Sequence, residues 1–326
     1  MRLIKPLVQL PILFDAAALE AEVRALPAAS WTPHPTGYPG NDAARLVSPG
    51  GKPTDALDGA MAPTEHLRAS SYMQEVMAAL GGVWGRSRLM GLGAGAQVPP
   101  HIDCHYYWRT HLRIHIPVIT NPDVLFKCGG KTVHMKPGEC WVFDSFQEHE
   151  VHNNGAERRV HLVLDTVGGE RLWDLIDAAQ SGASGEPVVV PALGGPSPDL
   201  AFERVNTPKV MSPWEMQAHL SFLMGHVVSP SAARSVHQRL DRFIYAWGAL
   251  WARFETSDEG LPAYRQLLRE VRADMVQLGA GTIRLRNNMK LDFTLKQLIF
   301  VNAVERPDTA ALGAPRPNEA IPNVAA

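Results

Sequence analysis

The sequence predicts an α+β chain in which a sandwich or barrel of short strands is followed by a region of helices. Three observations predict it. Between Arg88 and Asp165 short alternating runs recur, among them "HLRIHIPV", "CWVFD" and "RRVHLVLD", divided by turn pairs at Asn121-Pro122, Gly129-Gly130, Pro137-Gly138 and Asn154-Gly155. From Pro208 to Val304 the apolar period changes to three and four residues, most clearly over Arg234 to Phe254 and Leu261 to Leu278. Between the two lies "SGASGEPVVVPALGGPSPD", whose Gly, Ser and Pro content marks a linker.

The order of elements follows from the same signals. Residues 1–180 hold the strand-rich domain behind an N-terminal layer, in which a strand at Leu7 leads into helices over Ala16–Ala25 and Ser71–Leu80, with turn-rich "PHPTGYPGND" and "SPGGKP" between. A linker spans 181–205, helices span 206–305, and "RPDTAALGAPRPNEAIPNVAA" makes 306–326 a disordered tail. Trp247, Leu250, Trp251 and Phe254 form an apolar stripe that must pack on something: its own bundle, a homodimer surface or the mouth of the barrel.

Composition narrows the function classes. A net charge of -2 and a pI of 6.7 give no field for a polyanion, so nucleic acid is not an expected partner. The start reads briefly like a signal peptide, but Gln9 and Pro11 interrupt the apolar run and acidic residues follow. No run approaches the roughly 20 apolar residues of a membrane span. Three cysteines without CxxC spacing fit reduced thiols and a cytoplasmic protein.

Eight of the thirteen histidines fall within the strand-rich region. In "HID", His101 and Asp103 are two apart, so an extended chain points both to one face. A third ligand is offered downstream by His149 or His152. Two imidazoles and a carboxylate on one face of an open metal make the triad of non-heme Fe(II) oxygenases. The run "HLRIHIPV" sets His111, Arg113 and His115 on one face, and "RRVHLVLD" repeats the pattern with Arg159 and His161. Two such strands facing inward line a cavity that wants an anion, and a dicarboxylate suits the planar fork of arginine. "GLGAGA" at Gly91–Ala96 has the loose form of a dinucleotide fingerprint, but "QVPPH" after it cannot open the required helix.

Taken in order, "PHID", "HLRIHIPV", "NPDVLFKCGG", "MKPGECWVFDSFQEHEVHNNG" and "RRVHLVLD" resemble the aspartyl/asparaginyl β-hydroxylase family of Fe(II)- and 2-oxoglutarate-dependent oxygenases. The resemblance implies a double-stranded β-helix, a cupin-like jelly roll, with iron at one mouth. It carries the iron ligands onto His101 and His149, with Asp103 completing the triad. It places 2-oxoglutarate on Arg159, with Arg113 and His115 assisting. The reaction so implied is hydroxylation of an unactivated C–H bond in an amino acid or a peptide residue, of aspartate/asparagine or proline type, using dioxygen. The aromatic "HYYWR" segment is longer than in the animal enzymes, which leaves the substrate open. Two other readings keep the barrel: a non-catalytic metal or small-acid binding module, and a metal-dependent isomerase.

One geometric expectation accompanies the resemblance. A two-residue turn at Asn154-Gly155 would put Arg159 on the face away from the metal, so a bulge or a longer loop is expected near Gly155.

Overall fold

The computed structural model describes residues 3–182 and 185–305; the predicted tail, 306–326, lies outside the described residues. The chain forms two compact units, one of residues 3–103 and 110–206, the other of 104–109 with 207–305 among those described.

In chain order the first unit contains β1 (Leu7–Phe14), α1 (Ala16–Ala25), β2 (Thr32–Pro33), β3 (Asn41–Pro49), β4 (Met61–Pro63), α2 (Glu65–Ala69), α3 (Ser71–Leu80), β5 (Val83–Leu92) and β6 (Gln97–His101). The short helix α4 (Tyr106–Thr110) follows, and all but its last residue belongs to the other unit. Strands then resume as β7 (Leu112–Ile119), β8 (Val124–Cys128), β9 (Lys131–Val133), β10 (Glu139–Phe143), β11 (His149–Asn153) and β12 (Arg159–Gly168), with α5 (Glu170–Ser181) and β13 (Val188–Val190) last. The two helices read from the N-terminal sequence have the predicted bounds.

These strands make two sheets. The larger runs β13-β1-β10-β7-β12-β5-β3-β2, with β4 on β3, and the smaller runs β6-β11-β8-β9. From β5 to β12 the chain passes back and forth between them, which is the path of a double-stranded β-helix. Leu7, Leu92 and Phe143 from the larger sheet meet Phe126, Cys128 and Val151 from the smaller in one apolar core.

The larger sheet is covered on both faces, and its central strand shows why the alternation matters. All of β12 except Val167 is buried. Val160, Leu162 and Leu164 occupy one face, each worth about 1.5–3 kcal/mol on burial. Arg159, His161, Val163 and Asp165 occupy the other, toward the barrel interior. The fold thus carries polar groups where a simple core would carry none.

β11 and β12 do not form a hairpin, because they lie in different sheets. The expectation of a bulge near Gly155 is therefore replaced: residues 154–158 cross between sheets, and the crossing resets which face Arg159 takes. The stretch expected as a linker is also not free. β13 pairs in parallel with β1, the Tyr72 hydroxyl donates to the Val190 carbonyl, and Phe202 bridges to Trp84. Glu203 is buried against His111 Nε2 at 3.0 Å.

The second unit contains α6 (Pro213–Gly225), α7 (Arg234–Phe254), α8 (Leu261–Gln277) and α9 (Leu291–Leu295). Ser212 caps α6 by accepting from the Glu215 N–H, with Pro213 at the first turn. The buried stripe of α7 is Val236, Leu240, Phe243 and Trp247, one turn N-terminal to the one read from sequence; Leu250, Trp251 and Phe254 are half-buried. Trp247 packs on Tyr264 of α8 at 4.6 Å and donates from Nε1 to the Met211 carbonyl at 2.8 Å. The aromatic "HYYWR" segment belongs to this unit: the Tyr106 ring stands 5.6 Å from His219, and Arg109 lies 4.1 Å over the Phe222 ring.

Candidate active site

His101 and His149 are direct cross-strand partners where β6 pairs with β11, and their rings lie 4.1 Å apart. Asp103 follows the end of β6, held by its backbone N–H to the Ser145 carbonyl at 3.0 Å. One ligand atom from each of the three lies within 4.8 Å of the others. His152 is on the other face of β11: His149, Val151 and Asn153 are buried, while Glu150 and His152 are half-buried and bonded to each other at 2.7 Å.

The two histidines are set up alike. His101 Nδ1 lies 2.9 Å from the Pro99 carbonyl and His149 Nδ1 lies 3.0 Å from the Gln147 carbonyl. A carbonyl only accepts, so each Nδ1 carries its proton and each Nε2 keeps a lone pair for a metal. Burial, with His101 adding to it and Asp103 opposing, pushes the His149 pKa down to about 3, which keeps the ring neutral. Burial would raise Asp103, but Arg113, His149 and His101 outweigh it and hold the carboxyl below its ordinary value. Both groups are thereby in the form that binds a cation.

Arg113 sits beside this triad and is engaged there. It donates from Nη1 to Asp103 Oδ2 at 3.0 Å and from Nε to Asp165 Oδ1 at 2.9 Å, Asp165 being its direct partner on β12. The resemblance places Arg113 on the cosubstrate; the structure places its guanidinium between two carboxylates, where it orients Asp103.

Deeper in the barrel stands a group of polar side chains of the opposite character. Arg159 is 4% exposed, and its Nε and Nη2 have no hydrogen-bond partner; burial lowers its pKa to about 9. His161, on the same face of β12, is 1% exposed with both ring nitrogens unpartnered. His115 crosses it edge-on at 5.6 Å and leaves its Nδ1 unpartnered. Burial first, then Arg159, holds both histidines well below their ordinary pKa. Each buried polar atom without a partner costs about 1–3 kcal/mol, so five together on adjacent side chains describe a binding site for a polar ligand. An anionic ligand fits best, since the guanidinium and neutral imidazoles all offer N–H donors.

The structure thus brings His101, Asp103 and His149 to one point, and Arg159 and His115 to an adjoining one. His161 and Asp165 were not singled out as site residues from sequence. The signal existed, because both keep even spacing from Arg159 in "RRVHLVLD".

Residues 68–168 match the family model described as Aspartyl/Asparaginyl beta-hydroxylase. No curated protein matches the chain. Among solved structures it is similar to a Pseudomonas putida prolyl-4-hydroxylase, at 15% identity over 50% of this chain and 93% of that one, with a TM-score of 0.35. It is also similar to a 2OG-Fe(II) oxygenase family oxidoreductase from Burkholderia pseudomallei, at 13% identity over 47% and 81%, with a TM-score of 0.33. A cupin-superfamily sugar phosphate isomerase from Silicibacter pomeroyi matches at 15% identity over 39% and 59%, with a TM-score of 0.23. The stretch that carries His101, Asp103, His149 and Arg159 is therefore similar to the aspartyl/asparaginyl β-hydroxylase family, as the order of its motifs implies.

Proposed function

We propose that the chain is an Fe(II)- and 2-oxoglutarate-dependent dioxygenase that hydroxylates an unactivated C–H bond of an amino acid or of an amino-acid residue in a peptide. One observation carries the reading: a His, Asp, His cluster with both Nε2 atoms available stands beside a buried, unpartnered guanidinium and two unpartnered imidazoles. The donor set fits Fe(II), since two imidazoles and a carboxylate leave coordination positions open. The second group fits the distal carboxylate of 2-oxoglutarate. Bound together, metal and cosubstrate supply the oxidation, in which dioxygen gives one atom to form succinate and carbon dioxide and the other to the substrate.

The chain's own residues do the positioning. His101, Asp103 and His149 would hold the metal. Arg113, fixed by Asp165, keeps Asp103 charged and turned toward the cluster. Arg159, His161 and His115 would seat the cosubstrate and exclude water from its buried end. Buried, free Cys128 and Cys140, whose thiols burial pushes up, accord with the proposed reducing, cytoplasmic setting.

The binding-module and isomerase readings keep the metal cluster but have no use for a buried anion seat next to it. The deciding experiment is aerobic incubation of the full chain with Fe(II), 2-oxoglutarate and a panel of amino acids and peptides. A one-oxygen mass gain matched by succinate supports the proposal. Unchanged 2-oxoglutarate in the presence of bound metal overturns it.

A further inference from the structure

The inward face of the larger sheet holds more positive charge than the metal and cosubstrate account for. Arg45 on β3 and Arg88 on β5 are direct cross-strand partners. Arg88 is in turn opposite Val163 of β12, which is opposite His115 of β7. Directly opposed residues point to the same face, so these four side chains form one rung across the site. Arg86, two residues back on β5, shares that face and is close enough to Asp103 to help keep its carboxyl charged.

Like charges set directly opposite each other destabilise a sheet unless an anion lies between them. One carboxylate answers. The loop between β3 and β4 sends in Asp55, which pairs with Arg45, accepts Arg86 Nη1 on its backbone carbonyl at 3.0 Å, and stands 3.6 Å from Arg88 Nη1. The other nearby carboxylate, Asp165, is taken by Arg113. Arg88 is left 3% exposed, with no hydrogen-bond partner at Nη1. Burial first, then repulsion from Arg86 and Arg113, lowers its pKa to about 9. His34 adds no charge here, since burial and then Arg88 and Arg86 push its pKa down to about 3.

We propose that Arg88, supported by Arg86, receives a carboxylate of the primary substrate, so that the bond to be oxidised belongs to an acid and is held in place by its anionic end. This rests on the oxygenase reading. A planar guanidinium takes a carboxylate through two parallel hydrogen bonds. Asp55 beside it disfavours a doubly charged group such as a phosphate, and the seat at Arg159 is already taken by the cosubstrate. An uncharged amide in the same place would leave the guanidinium buried beside two like charges, so the subsite selects acids over their amides.

The test uses the full chain saturated with Mn(II) and 2-oxoglutarate, which fills the Arg159 seat. Propionate and its neutral counterpart propionamide are the probes, at constant ionic strength, with the thermal midpoint as readout. Propionate at about ten times its Kd should raise the midpoint by about 2–4 °C, and propionamide should not. Arg88→Gln should abolish the rise and Arg88→Lys should keep part of it, both still binding 2-oxoglutarate. Asp55→Asn, which removes the competing carboxylate, should tighten propionate binding. Equal response to the two probes in the unsubstituted protein, which needs no variant to fold, overturns the proposal, as does a propionate rise that survives in Arg88→Gln. Failure of 2-oxoglutarate itself to bind the metal-loaded protein would instead count against the oxygenase reading, and the same probes then read the anion site without it.

Discussion

Arg113 donates a hydrogen bond to Asp103 across 3.0 Å while its Nε is held by Asp165. A carboxylate fixed in this way presents its free lone pairs in one direction, so Arg113 acts on the metal through Asp103. Arg113→Lys keeps the charge but loses the fork. It is expected to weaken metal affinity about 10–100-fold in protein free of 2-oxoglutarate. Titration with Mn(II) checks this; unchanged metal affinity with weakened 2-oxoglutarate binding would return Arg113 to the cosubstrate.

His149 and His152 separate the two faces of β11. His149→Ala should remove metal binding and turnover, because one of three protein ligands is lost. His152→Ala breaks only a half-buried contact with Glu150 and should leave both substantially intact. Equal loss in the two variants would show that the register is misassigned.

His161 is expected to donate to the distal carboxylate alongside Arg159. Losing one hydrogen bond to a charged group is worth about 1.5–3 kcal/mol, so His161→Phe should weaken 2-oxoglutarate about tenfold or more and leave metal affinity alone. His161→Gln, which restores an N–H donor, should recover part of it. Calorimetry on the metal-loaded protein reads both.

Acid should destabilise the ligand-free protein early. His34 is held at about 3, and His115 and His161 well below their ordinary value, chiefly by burial. The unfolded chain binds these protons near pH 6.5 and the folded one does not, so between the two pKa values unfolding takes up protons and stability falls as pH falls. Each histidine contributes a slope of up to about 1.4 kcal/mol per pH unit below pH 6.5. Thermal midpoints from pH 7.5 to 5 should show it, and His161→Phe should reduce the slope by one proton.

Much of this was legible in the sequence, where burial produces a period. α1, α3 and α7 match their predicted bounds because an amphipathic stripe and a cap define each. "HLRIHIPV" and "RRVHLVLD" were read as neighbouring inward-facing strands because strict alternation survives even when the inner face is polar. β5 was only half read: "VWGRSR" carries Gly, Ser and two arginines and looks like a loop, yet both arginines face the interior. Strands adjacent in sequence suggested a hairpin at Gly155, and no local signal reveals that the chain changes sheets there. The Gly- and Pro-rich stretch after α5 has a linker's composition, but the residues that tie it down, Tyr72, Trp84 and His111, lie far away in sequence.

The central claim is that metal at His101, Asp103 and His149 and an anion at Arg159 form one site. It is tested most directly by calorimetric titration of 2-oxoglutarate into the full chain with and without Mn(II), under nitrogen, beside glutarate, which lacks the 2-oxo group. The account predicts tight binding of 2-oxoglutarate only with metal present, weaker binding of glutarate, and loss of both in Arg159→Met. Affinity for 2-oxoglutarate that is the same with and without metal, or that survives in Arg159→Met, would contradict it.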